Sequence, residues 1–165
     1  MKKTVILAVV AALVLALPGV ALAANLVGTD APETIVGTDA RDTIQGFGGG
    51  DALHGLGGRD GIYAGDGNDL VVGGPGADDP GFLIGPFVPG LSGGSGDDRV
   101  EGNGGGDLIV GGPGADLLLG GSGDDQIADP GAGGIDRIHC GTGNDFVEAS
   151  TNDVVDADCE TVNRF

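Results

Sequence analysis

The sequence predicts an all-β protein, a parallel solenoid built from nine-residue units, and three observations predict it. Twelve acids recur at intervals of nine in two runs: Glu33, Asp42, Asp51, Asp60, Asp69 and Asp78, then Asp98, Asp107, Asp116, Asp125, Asp136 and Asp145, with one longer step inside the second run. Two places after each acid stands a branched aliphatic residue, eleven times out of twelve, with Pro80 the exception. Two places before each acid stands Gly, or Ala in the first two copies (Ala31 and Ala40). A fixed period of this kind, kept in all three positions, is the mark of a repeat architecture.

Each position of the unit G-G-x-G-x-D-x-U-x has a physical task. Glycines permit a tight turn with positive φ. The aspartate supplies a charged hard oxygen of the kind that Ca²⁺ selects, together with carbonyl oxygens. The x-U-x tripeptide is too short for a helix but makes a short strand, with U facing in and its neighbours out. Two units make one coil of eighteen residues. Acids eighteen apart then stack: Asp42, Asp60 and Asp78 on one edge, Glu33, Asp51 and Asp69 on the other. Asp98 with Asp116, and Asp107 with Asp125, repeat the arrangement.

In these residues the chain resembles the haemolysin-type (RTX) calcium-binding nonapeptide family, over Gly28 to Glu148. The closest copies are Gly111–Leu119 and Ala64–Val72. The resemblance implies a parallel β-roll with Ca²⁺ between successive turns, held by turn carbonyls and the sixth-position aspartates. Carried over, these are Asp42, Asp51, Asp60, Asp69, Asp78, Asp98, Asp107, Asp116, Asp125, Asp136 and Asp145. Six well-registered pairs, and two more across the longer step, imply about six to eight ions. The first two copies lack the fourth glycine, and one carries Glu33 after Pro32, so they read as a capping coil that binds weakly or not at all.

The N-terminus reads as a secretory signal peptide, residues 1–23. Lys2 and Lys3 precede an apolar run from Val5 to Leu17, Pro18 and Gly19 break it, and Ala21-Leu22-Ala23 offers a small-x-small cleavage site. The apolar run is shorter than the roughly twenty residues that span a bilayer. A mature chain from Ala24 is expected to be secreted, extracellular or held at the cell surface or in a periplasm, with no membrane span. It has no lysine, and its five arginines face twenty-five acids, a net charge of −20. That sign excludes nucleic acid as a partner.

Asp78 and Asp98 are twenty residues apart, which marks an insertion loop at about 79–92. It holds Phe82, Leu83, Ile84, Phe87, Val88 and Leu91, and its prolines Pro80, Pro86 and Pro89 exclude a helix or a central strand. Two readings stand: a loop folded over the apolar interior between two half-rolls, or an adhesion surface that docks a protein, a glycan or a membrane. A smaller interruption between Asp125 and Asp136 adds two residues, read as Asp129 and Pro130.

After Glu148 the repeat ends, and residues 149–165 read as a C-terminal cap. Val154, Val155, Val162 and Phe165 are its covering residues, because an open coil exposes aliphatics and strand edges. Asp153, Asp156 and Asp158 add acids whose spacing does not meet the twelve-residue EF-hand loop. Cys140 and Cys159 are the only cysteines, and in an exported chain they are expected to form one disulfide. Catalysis finds no support: there is no H-E-x-x-H, G-x-S-x-G or P-loop lysine, and every paired carboxylate has a repeat-wide counterpart. The sequence therefore reads as a calcium-binding protein rather than an enzyme.

Overall fold

A computed structural model of the chain describes residues 22–78, 90–129 and 133–165, and every regular element among them is a β-strand. Odd-numbered strands form one sheet: β1 (Asn25–Val27), β3 (Thr43–Gly48), β5 (Gly61–Asp66), β7 (Leu91–Ser95), β9 (Leu108–Val110), β11 (Gln126–Ala128), β13 (Phe146–Ala149) and β15 (Thr161–Arg164). Even-numbered strands form the other: β2 (Thr34–Val36), β4 (Ala52–His54), β6 (Leu70–Pro75), β8 (Arg99–Gly104), β10 (Leu117–Ser122), β12 (Arg137–Thr142) and β14 (Val154–Val155). The chain alternates between the sheets, so each strand lies parallel to the one a coil earlier, as in the β3–β5 and β8–β10 pairs.

The aliphatic two places after each acid is the one that points in. Ile44, Ile62, Leu91, Ile109, Ile127 and Val147 pair along one sheet. Leu53, Val71, Val100, Leu118 and Ile138 do so along the other. All eleven are at most 1 % exposed. With one large side chain per strand, the core is a narrow double stack, and the turns on either side are never far from it.

Those turns depend on glycine at specific places. Gly67 has φ +148°, and a Cβ there would lie 1.5 Å from the carbonyl oxygen of Gly49. A side chain at that position would collide with the coil below. The second glycine of the unit is also left-handed, but there the chain tolerates Phe47, Leu56 and Asn103 with φ between 77° and 81°. Phe47 and Leu56 are exposed, so these copies meet the backbone cost of that conformation without a clash.

The structure corrects four sequence expectations. Leu91 is not part of an exposed docking loop. It is 0 % exposed in β7, paired with Ile62 on one side and Ile109 on the other. The insertion falls between the acid Asp78 and its strand, so Leu91, not Pro80, is the inward residue of that copy. The insertion also does not separate two half-rolls, since β5–β7 and β6–β8 pairing carries both sheets straight past it. Phe82, Leu83, Ile84, Phe87 and Val88 lie outside the described residues, as does Pro80.

The remaining two corrections concern the C-terminal half. Asp129 is not looped out: it directly follows β11, is 0 % exposed and donates its N–H to Glu148 O at 2.8 Å. Residues 149–165 do not lie across the open end as a lid. Instead β14 and β15 extend the two sheets by one more coil. Of the expected covering residues only Val155 packs on the core, with Cys159, while Val154, Val162 and Phe165 are 50 %, 38 % and 60 % exposed. The disulfide joins Cys140 of β12 to Cys159, with Cα atoms 5.2 Å apart.

Candidate metal centres

The acids occupy the turns that enter each strand, where the two sheets meet. The sheet register stacks them in two ladders, joined by one repeated hydrogen bond. The main-chain N–H of each acid donates to Oδ1 of the acid one coil later. Ten steps share this bond at 2.7–2.9 Å: from Glu33 to Asp51, Asp69, Asp98, Asp116 and Asp136 in one ladder, and from Asp42 to Asp60, Asp78, Asp107, Asp125 and Asp145 in the other. The Asp69–Asp98 and Asp78–Asp107 steps cross the insertion, twenty-nine residues apart in sequence yet one coil apart in space.

The second carboxylate oxygen is different. In Asp51, Asp60, Asp69, Asp78, Asp98, Asp107, Asp116, Asp125 and Asp145, Oδ2 is buried and has no hydrogen-bond partner among the described residues. An unpartnered buried carboxylate oxygen is costly unless something positive reaches it. In seven of the nine, all but Asp69 and Asp145, Oδ2 is directed at the first glycine of its own unit; those two units have Ala64 and Cys140 at that place. A Cβ on Gly102 would lie 2.3 Å from Asp107 Oδ2 and 2.5 Å from Gly120 O of the next coil. On Gly55 the same point is 2.3 Å from Asp60 Oδ2 and 2.7 Å from Gly73 O. A carboxylate oxygen and a main-chain carbonyl thus converge on space that only a missing side chain leaves open. Hard, negatively polarised oxygens from both sources are the donor set of Ca²⁺.

The electrostatics agree. Burial pushes the carboxyls of Asp78, Asp98 and Asp107 up to about 7, and those of Asp60, Asp116 and Asp125 up to about 6. In each the backbone hydrogen bond opposes the rise, and neighbouring ladder acids add to it. Asp51 and Asp69 are raised for the same leading reason, loss of water. These are carboxylates held in a place that disfavours their charge until a cation compensates it.

The first coil handles its acids locally. Thr29 and Thr38 stand where later units have their second glycine. Thr38 N–H and Oγ1 both bond the Asp42 carboxylate, and Ala24 N–H donates to Asp42 Oδ1 at 2.6 Å. Thr29 does the same for Glu33, at 2.7 Å from N–H and 2.8 Å from the hydroxyl. Asp42, one of the expected ligands, therefore has both oxygens occupied, as a cap would. The threonine beside each acid is the sequence signal for this.

At the other end the ladders run past the repeats. Asp136 N–H donates to Asp153 Oδ1 at 3.3 Å, and Asp145 N–H donates to Glu160 Oε2 at 2.9 Å. Asp153 and Glu160 are spaced 17 and 15 residues from their partners, not 18, so a strict period passes over them. Oxygens of Asp129, Asp136 and Asp153 all lie within 4.8 Å of one another.

The RTX calcium-binding nonapeptide repeat matches this chain in four copies, over residues 27–62, 46–79, 92–127 and 130–158. No curated protein and no solved structure matches it. The matched copies cover most of the chain, and their acids are the ones the two ladders bring together, so the chain belongs to the RTX calcium-binding nonapeptide repeat family.

Proposed function

We propose that this protein is exported and works as a calcium binder, folding into its roll around several Ca²⁺ ions. The observation that carries the reading is the set of nine buried Oδ2 atoms without a hydrogen-bond partner among the described residues, seven of them facing the bare side of a glycine. In seven of the ten ladder steps both acids carry such an oxygen, which agrees with the six to eight ions expected from the sequence. The ligands proposed for these steps are the sixth-position aspartates from Asp51 to Asp145, with first-glycine carbonyls such as Gly73 O and Gly120 O.

Bound Ca²⁺ would supply positive charge between stacked carboxylates. The chain's own part is to present them in register, one strand spacing of about 4.7–4.9 Å apart. Without the ion, like charges face each other along both ladders. One inward aliphatic per strand buries too little surface to offset that repulsion and the entropy of ordering so many glycines. Because the ligands come from separate coils, binding energy becomes folding energy. The ladder carboxylates recur from coil to coil, and binding rather than catalysis is the activity proposed.

The test is a calcium titration of the mature chain followed by circular dichroism. The expected result is a disordered spectrum in chelator and a cooperative gain of β-structure as Ca²⁺ approaches the roughly 10⁻⁴–10⁻³ M range of extracellular modules. Mg²⁺ should substitute poorly, since it demands a tighter octahedron and keeps its water. A spectrum unchanged between chelator and excess calcium would overturn the reading. Export is tested separately, by the mass of protein recovered outside the cell, expected to begin at Ala24.

A further inference from the structure

The C-terminal end of one ladder differs in composition from every step before it. The first position after β9 is Gly111, and the residue directly above it, one coil on, is Asp129. This row lines the interior, and its occupants are small wherever it is not glycine: Ala64 and Ala149 are both 0 % exposed. Asp129 puts a carboxylate there instead, also at 0 % exposure. Its neighbours are Asp136, the last repeat acid of that ladder, and Asp153 of the following coil, at 1 % and 6 % exposure.

Asp153 is held in place from two sides. Ser150 N–H donates to its Oδ2 at 2.6 Å and Asp136 N–H to its Oδ1 at 3.3 Å, one bond on each oxygen where Asp42 accepts two, and Arg164 of β15 donates to the main-chain oxygens of Ser150 and Asp153 at 2.9 and 3.2 Å. The coil beneath supplies a second observation. Asp116, whose N–H bonds Asp136 Oδ1 at 2.7 Å, is 2 % exposed, and its Oδ2 has no hydrogen-bond partner among the described residues. That oxygen points into the same interior row, 2.6 Å from where a Cβ on Gly111 would sit, and Asp129 is the next occupant of the row.

We propose that Asp129, Asp136 and Asp153 form a divalent-cation site of mixed origin: one ligand from a replaced repeat glycine, one from a repeat and one from the terminal coil. The inference rests on the calcium reading and goes beyond it. An ordinary step offers two carboxylates, whereas this one offers three within 4.8 Å. Ligand charge count is a main determinant of Ca²⁺ affinity, so this site fills first. Its ion joins β12, where Asp136 enters, to β14, which Asp153 precedes, and so closes the terminal coil onto the roll before the rest of the ladder is loaded.

The experiment uses the full mature chain with Ca²⁺ alone as probe. Bound ions are counted by equilibrium dialysis across a range of free calcium, with amide exchange of β12 and β14 read at the same points. The variants are Asp129→Gly, which restores the ordinary repeat residue and so should fold, and Asp153→Asn, which keeps the shape of the side chain. Wild type should take up one ion at free calcium about tenfold or more below the others. Asp129→Gly should lose that early ion and the early protection of β12 and β14 while the later ions remain. An Asp129→Gly curve that overlays wild type overturns this inference and leaves the calcium reading standing. A wild-type chain that takes up no calcium at all overturns both.

Discussion

Replacing Asp78, Asp107 and Asp125 together with asparagine should move the metal-free and the calcium-loaded protein in opposite directions. The three are consecutive rungs of one ladder, and their carboxyls are raised by burial from 3.8 to about 7, 7 and 6. A rise of two to three units corresponds to roughly 3–4 kcal/mol against the charged, folded form at neutral pH, and solvent screening in so narrow a roll brings this to about 2 kcal/mol each. Asparagine keeps the Oδ1 acceptor that the neighbouring N–H requires. It also turns an N–H toward the converging carbonyl, which for Asp107 is Gly120 O. In chelator at pH 7.5 the triple variant should therefore be more stable than wild type by on the order of 5 kcal/mol, seen as β-structure where wild type is disordered. In calcium it should be weaker, with fewer ions bound and a higher calcium midpoint. A triple variant with no more β-structure than wild type in chelator would refute the reasoning, because the carboxylates would then not be what opposes the metal-free roll.

The same shifts fix the sign of the pH effect. A carboxyl raised in the folded state favours the metal-free roll in acid, below 3.8, and that advantage is lost as pH rises toward 7; chelator-treated protein should gain β-structure on acidification, and its calcium midpoint should climb as pH falls below about 7. Deleting residues 79–89 should leave the calcium midpoint within about twofold, since it joins Asp78 to Gly90, whose hypothetical Cβ lies 1.6 Å from Asp78 O, and restores an uninterrupted nonapeptide; loss of binding would show the insertion to be part of the roll. Converting Cys140 and Cys159 to serine should cost about 3 kcal/mol, and amide exchange should show the loss concentrated in β12 to β15. Leu56→Gly should raise stability by about 1 kcal/mol in calcium, because Leu56 holds φ +77° on an exposed turn; a fall of that size would mean its side chain matters more than its backbone strain.

Much of the fold was legible because the repeat constrains both ends of each unit. An acid fixes the turn and the aliphatic two places on fixes the inward face, so Ile44, Leu53 and Ile62 were identifiable as core without any structure. What was not legible depended on where extra residues sit within a unit. Counting forward from Asp78 reaches Pro80, but the strand that follows this acid in the sheet is β7, so the inward place passes to Leu91. The spacing of 29 therefore hid two ladder steps, and the shortened intervals to Asp153 and Glu160 hid two more. Period shows which residues share a phase. It does not show which residues share a coil once the coil length varies.

The first position of the unit ties these points together. Glycine there leaves room in front of the acid's Oδ2, and a Cβ would fall within about 2.2–2.6 Å of that oxygen in unit after unit, from Gly37 and Asp42 to Gly120 and Asp125. Yet this position is held by Ala64, Asp129 and Ala149 along one sheet and by Cys140 along the other, each 0 % exposed. Two of these four lie where the roll changes character: Asp129 adds charge beside the terminal coil, and Cys140 commits its side chain to the bond that anchors Cys159. A side chain at this position leaves the strand hydrogen-bonding groups in place, but its Cβ displaces the neighbouring carboxylate or carbonyl oxygen, which lies under 3 Å away. It changes what the adjoining carboxylate meets. Variation along the roll should thus be read first at this position, with each non-glycine residue there marking a step whose metal chemistry differs from its neighbours'.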